Sequence, residues 1–84
     1  MNCSVSDTGK LIAAPEYDTT HGQRLFIVTR KVLAIRQIIK PPFRHIGCRV
    51  FTEGAGEFDL AITPEQFNDL FERALERIFQ DRIV

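Results

Sequence analysis

The chain has 84 residues, 44% of them apolar and 26% charged, with equal numbers of acids and bases and therefore a formal net charge of zero. That length makes one domain, residues 1–84, which buries roughly 60% of the surface its unfolded form exposes. So small a core argues against a deep substrate pocket and an autonomous enzyme, a neutral total argues against the usual electrostatic footprint of a nucleic-acid binder, and no apolar run approaches the ~20 residues needed to cross a bilayer.

The charge is nonetheless sorted along the chain. Residues 1–18 carry Lys10 against Asp7, Glu16 and Asp18, a net of −2. Residues 19–52 carry Arg24, Arg30, Lys31, Arg36, Lys40, Arg44 and Arg49 with no acid, a net of +7. Residues 53–84 carry three arginines against eight acids, a net of −5.

The first residues, MNCSVSDTGKLIAAP, lack the basic start and apolar run of a signal peptide. Two cysteines, Cys3 and Cys48, do not make a disulfide framework, so a reducing cytoplasm is the expected compartment. Residues 1–9 read as a loosely ordered terminus. Asp7-Thr8-Gly9 spells the tripeptide of aspartic proteases, which use two symmetric copies on loops after apolar strands so that two carboxylates share a proton. Here Val5-Ser6 precede it and Lys10 follows, and the expected role is a turn before a strand. Gly9-Lys10 lacks the spacing of a phosphate loop. The segment KLIAAPEY is a candidate cover for a sheet face, and His21-Gly22 reads as loop.

RLFIVTRKVLAIRQIIKPP would be about 55 Å long as one straight strand, too long for a domain with a radius of gyration near ~12 Å. The expectation is two strands, about 24–29 and 32–39, broken near Thr29-Arg30-Lys31. The alternative is a strand followed by a short helix over 30–40, stopped by Pro41-Pro42. β-Branched Val32, Ile35, Ile38 and Ile39, and basic residues at the would-be helix start, favour strands; the missing turn glycine favours the helix. As a strand, Leu33, Ile35, Gln37 and Ile39 face one way, and Val32, Ala34, Arg36, Ile38 and Lys40 the other. That second face is too apolar to be left wholly wet.

HIGCRVFTEGAGEFDLAI, residues 45–62, reads as a β-hairpin around the loop Gly54-Ala55-Gly56. The expected register sets Val50 against Leu60, Cys48 against Ile62 and Thr52 against Phe58 on one face. The other face carries Arg49 and Phe51 with Asp59, so part of the basic charge is answered nearby. Cys3, His21, His45 and Cys48 offer a zinc-like donor set, but His45 and Cys48 lie three apart in a strand and point to opposite faces. No metal and no cofactor is expected.

AITPEQFNDLFERALERIF predicts a helix over about 64–81. Thr63 is the N-cap, Pro64 the first helical residue and Gln66 the capping-box partner, with Ile62 and Phe67 placed for a hydrophobic staple. Phe67, Leu70, Phe71, Ala74, Leu75, Ile78 and Phe79 form one apolar stripe.

The expected fold is thus α+β: a small antiparallel sheet of three to five strands with one C-terminal helix on one face. LFIVTR and RHIGCRVF resemble the two sheet motifs of RNA-recognition domains but depart from them where Ile46 and Cys48 replace stacking aromatics. The first functional expectation is a non-enzymatic regulatory or inhibitory module that binds a protein with an acidic surface, or a second copy of itself. Its site would be the sheet face away from the helix and the basic rim: Arg30, Val32, Arg36, Ile38, Lys40, Arg44, Arg49 and Phe51. The alternative is single-stranded nucleic acid on the same face, with Phe51 and Phe43 stacking on bases.

Overall fold

The computed structural model describes residues 3–17, 23–41 and 44–83, the side chains of 81–83 excepted. His21, Gly22, Pro42 and Phe43 lie outside the described residues. Among the described residues six strands, a 3-10 turn and one helix follow in order: β1 (Ser4–Val5), β2 (Leu11–Pro15), β3 (Arg24–Val28), the turn Thr29–Lys31, β4 (Val32–Ile38), β5 (Gly47–Thr52), β6 (Gly56–Leu60) and α1 (Pro64–Ile83). The strands form two antiparallel sheets, β1-β2-β3 and β4-β5-β6. A bridge between Glu16 and Leu60 stitches them, with Tyr17 donating its N–H to the Asp59 carbonyl and Ala61 to that of Pro15, each at 2.8–2.9 Å. The fold is α+β, with the expected single sheet divided in two.

Residues 3–9, part of the expected loose terminus, supply β1 and a turn that docks on α1. The Asp7-Thr8-Gly9 tripeptide sits in that β1–β2 turn, Asp7 and Thr8 exposed and Gly9 buried with φ +77°. Arg77 of α1 donates to the Val5 carbonyl at 2.7 Å and the Ser6 carbonyl at 2.9 Å, clasping the turn from the helix side.

The long central run breaks where the two-strand reading puts the break. The alternative helix over 30–40 is not formed: residues 32–38 are strand β4, and the helical piece is the three-residue turn Thr29–Lys31. No glycine is needed there because Thr29 is held on two sides. Its N–H bonds the Lys10 carbonyl at 2.9 Å and its buried Oγ1 the Gly9 carbonyl at 2.6 Å. A bulge between Val32 and Ala34 corrects the facing of the strand's start. Val32 pairs Thr52 and packs toward the core instead of the open face, and Leu33, in the bulge, is 66% exposed beside the groove that β4 forms with α1.

The hairpin exists, with its register two residues from expectation. Cys48 pairs Leu60, Arg49 pairs Asp59 and Val50 pairs Phe58. The loop is Glu53-Gly54-Ala55, and both Gly54 (φ +80°) and Gly56 (φ +87°) take the left-handed conformation that a side chain would resist. Thr52 Oγ1 closes it on the Gly56 carbonyl at 2.8 Å. Because side chains alternate with period two, an even slip leaves every residue on its expected face. Cys48, Val50 and Leu60 are therefore fully buried as foreseen.

α1 begins with the capping box: Gln66 N–H donates to Thr63 Oγ1 at 3.1 Å, and Thr63 N–H to Gln66 Oε1 at 2.9 Å. Phe67, Leu70 and Ala74 bury the stripe against Ile12, Ala14 and Ile27 of the first sheet and Cys48, Val50 and Leu60 of the second, and Ile78 is buried further along the helix. Phe79, at the end of the stripe, is 59% exposed. One helix thus covers the inner faces of both sheets and leaves the reverse of β4-β5-β6 outward.

Candidate functional site

The outward face of the second sheet is a ladder of cross-strand rows. Ala34, Phe51 and Glu57 make one row; Arg36, Arg49 and Asp59 the next; Ile38 and Gly47 the third. In the middle row Arg49 forms a two-pronged pair with Asp59, Nε to Oδ1 at 2.8 Å and Nη2 to Oδ2 at 3.2 Å. Such fork geometry fixes the planes of both groups. Lys40 Nζ reaches the same carboxylate at 2.5 Å, and Arg49 also lies 3.4 Å from Glu57. The Arg49 hydrogen bond, helped by that of Lys40 and by both charges, holds the Asp59 carboxyl below its ordinary value against the opposing effect of burial.

That shift gives a sign to the acid response. A carboxyl whose folded pKa is depressed adds stability above its unfolded pKa, near ~3.9, and loses it as pH falls through the lower folded value. Asp59→Asn should destabilise the domain at neutral pH, and its unfolding midpoint in urea should converge on that of the parent as pH drops below about 4. A constant gap across that range would mean that the carboxylate's charge does not act as described.

Tyr17 closes one end of the face. It is buried, its hydroxyl donates to the His45 carbonyl at 2.8 Å and accepts the Lys40 N–H at 3.1 Å, and its ring lies 4.2 Å from the His45 ring. Lys40 Nζ sits 5.7 Å from the Tyr17 ring centre. Gly47 makes this possible: a Cβ there would fall 2.5 Å from Tyr17 Cε2 and 2.8 Å from the Leu60 carbonyl oxygen. The segment KLIAAPEY thus covers part of the second face, through its last residue. A glycine inside a strand pattern is the sequence signal of such a close approach, and Gly47 is the mark that Tyr17 leaves in the chain.

Of the expected site residues, Arg36, Ile38, Arg49 and Phe51 share the face and Lys40 joins it at the Tyr17 end. Val32 is turned inward by the bulge. Arg30 lies in the turn before β4 and Arg44 in the connection after it, so about 23 Å of strand separates them at 3.3 Å per residue. The seven basic residues are therefore not one patch. Arg49 and Lys40 are answered by acids; Arg36, Arg30 and Arg44 are exposed with no ion pair among the described residues. Asp59 was placed on this face from the pattern, but its bond to Lys40 was not.

A second surface lies on the other side of β4. Among the described residues this strand pairs with β5 alone, and a groove of about 170 Å³ runs between it and α1, lined by Leu33, Ile35, Phe67 and Phe71 with Asn68. A larger polar cleft of about 460 Å³ brings Glu16 and Glu57 beside Asp59 and Lys40. Asp59, kept ionised there by its cations, is a poor proton donor near neutral pH. Among the described residues no group of three or more His, Cys, Asp or Glu is set to hold a metal ion. Cys48 is buried in the core, which pushes its thiol up to about 11, while His45 is exposed. No helix among the described residues is long and apolar enough to cross a membrane.

The sequence matches no known family model, and neither a curated protein nor a solved structure is significantly similar to it.

Proposed function

We propose that this protein is a non-enzymatic regulatory or inhibitory module that binds a protein partner through the outward face of its second sheet. The observation that carries the reading is the row Arg36–Arg49–Asp59, set between Phe51 and Ile38. It offers a two-pronged ion pair, a cation with no acid beside it among the described residues, and flanking apolar side chains on one face. Apolar groups beside preorganised charges suit a protein surface, where the charges select a partner and speed encounter more than they add affinity. Arg36, with Arg30 and Arg44 beyond each end of the strand, favours a partner with acidic groups. The two free thiols, Cys3 and Cys48, are in keeping with a reducing compartment, and we place the protein in the cytoplasm.

Single-stranded nucleic acid is the competing occupant. Glu57 and Asp59 weigh against it: they spend two of the face's cations and put carboxylates where phosphates would run. The discriminating experiment is capture from the native host with and without nuclease, using the parent chain, Phe51→Asp and Arg36→Glu. Capture should survive nuclease, fall about ten-fold or more in Phe51→Asp and depend only moderately on salt. Nuclease-sensitive capture with a steep salt dependence would give the face to nucleic acid instead.

A further inference from the structure

We propose that the unpaired edge of β4, with the groove between it and α1, receives an extended peptide strand of alternating apolar and acidic residues. This inference rests on the protein-binding reading above and names the partner's chemistry.

The sheet order supplies the first part. β4 is terminal in β4-β5-β6, so among the described residues its other edge has no strand beside it. An extended peptide laid along such an edge gains main-chain hydrogen bonds whatever its sequence, and its alternate side chains enter whatever lies on the two sides of the sheet. Beyond the bulge at Leu33, residues Ala34 to Ile38 keep regular register with β5, a run of five residues and close to an ordinary strand.

The two sides of β4 differ, and the difference dictates the alternation. On the helix side, an incoming side chain meets Ile35, Leu33, Phe67 and Phe71, an apolar slot with no charged lining residue. Opposite, it meets the level of Ala34, Arg36 and Ile38, where the Arg36 guanidinium has no acid in reach among the described residues. Arg30 and Lys31 stand exposed before the strand and Arg44 after it. A peptide reading apolar, acidic, apolar, acidic satisfies both sides at once.

A second copy of this chain is a poorer occupant. An antiparallel β4–β4 pair would bring the Arg30-Lys31 turn of one copy toward Arg44 of the other, and residues 19–52 contain no acid to offset that repulsion. Basic residues and a bulge are familiar guards against edge-to-edge self-pairing. They exclude a like strand and leave an acidic one free to dock.

The test uses the full chain and fluorescein-labelled ten-residue synthetic peptides: one alternating valine and glutamate, one alternating valine and lysine, and one of the first composition with its order scrambled. Binding is read by anisotropy and by amide chemical-shift changes. The glutamate peptide should bind, shift the amides of residues 33–38 and outcompete both others. Leu33→Asp, a change at a position that is 66% exposed, should weaken it about ten-fold. Arg36→Glu should weaken it by a similar factor and reverse the preference toward lysine. Phe79→Ala, at an exposed position of α1 that does not line the groove, should leave it within about two-fold.

Shifts confined to Arg36, Arg49 and Phe51, with Leu33→Asp without effect, would overturn the edge-docking proposal while leaving the face as the binding surface. So would failure of all three peptides to bind while Phe51→Asp still abolishes capture from the host. Dimerisation that Leu33→Asp abolishes would assign the edge to a second copy and also overturn it. Absence of peptide binding together with nuclease-sensitive capture would remove both this inference and the protein-binding reading.

Discussion

Gly9→Ala should destabilise the protein by roughly 3 kcal/mol or more, well beyond an ordinary single substitution. Two independent costs meet at this position. The backbone there has φ +77°, a left-handed conformation that costs a residue bearing a Cβ about 1–2 kcal/mol. The added methyl would also fall inside the van der Waals surface of the Ala74 carbonyl oxygen and 3.0 Å from Arg77 Cβ. The first of these contacts is helix backbone and cannot rotate aside. Relief requires the turn to lift from α1, which would strain the Arg77 bonds to Val5 and Ser6 and the Thr29 Oγ1 bond to Gly9. A loss of roughly 3 kcal/mol or more follows from adding strain to the broken contacts. Urea unfolding measures it. Gly54→Ala is the companion, because that glycine has positive φ but open space around its missing Cβ, so the conformational cost appears there alone. Equal losses at the two sites would show that the turn does not press on the helix.

The second large effect is Phe67→Ala. Phe67 is 1% exposed and lies where the helix meets both sheets, stacked at 6.3 Å on half-buried Phe71. Truncating a buried phenylalanine costs about 3–5 kcal/mol through lost burial and an unfilled cavity. A domain of this size has about 4–13 kcal/mol in total, by the usual ~0.05–0.15 kcal/mol per residue. The melting temperature should drop by roughly 15–30 °C. Phe79→Ala removes the same side chain from an exposed site and should change stability by less than about 0.5 kcal/mol. Similar losses for the two variants would contradict the packing described.

The pattern of residues carried much of the fold. The capping box, the apolar stripe of α1 and the alternation in the hairpin depend on neighbours two to four positions apart, and those relations are written directly in the chain. The break at Thr29–Lys31 followed from length, since a straight strand would not fit. The candidate face was legible for the same reason: Arg36, Ile38, Arg49 and Phe51 share it by parity alone. Val32 was lost from it because one bulged residue at Leu33 inverts the facing of everything before it, and a bulge leaves no mark in an alternating pattern.

What the sequence by itself determined is therefore the type of each element and the side to which most residues turn, because period and local hydrogen bonding decide both. The tertiary structure decided the absolute register of β5 against β6, which a two-residue slip hides from any parity argument. It also decided which charges are spent. Asp59 takes both Arg49 and Lys40, and Tyr17, 28 residues before His45, closes the end of the face over Gly47. Contacts between residues so far apart in the chain depend on how the sheets are joined at Glu16 and Leu60, and composition cannot say which cation will find which acid once that joint has formed.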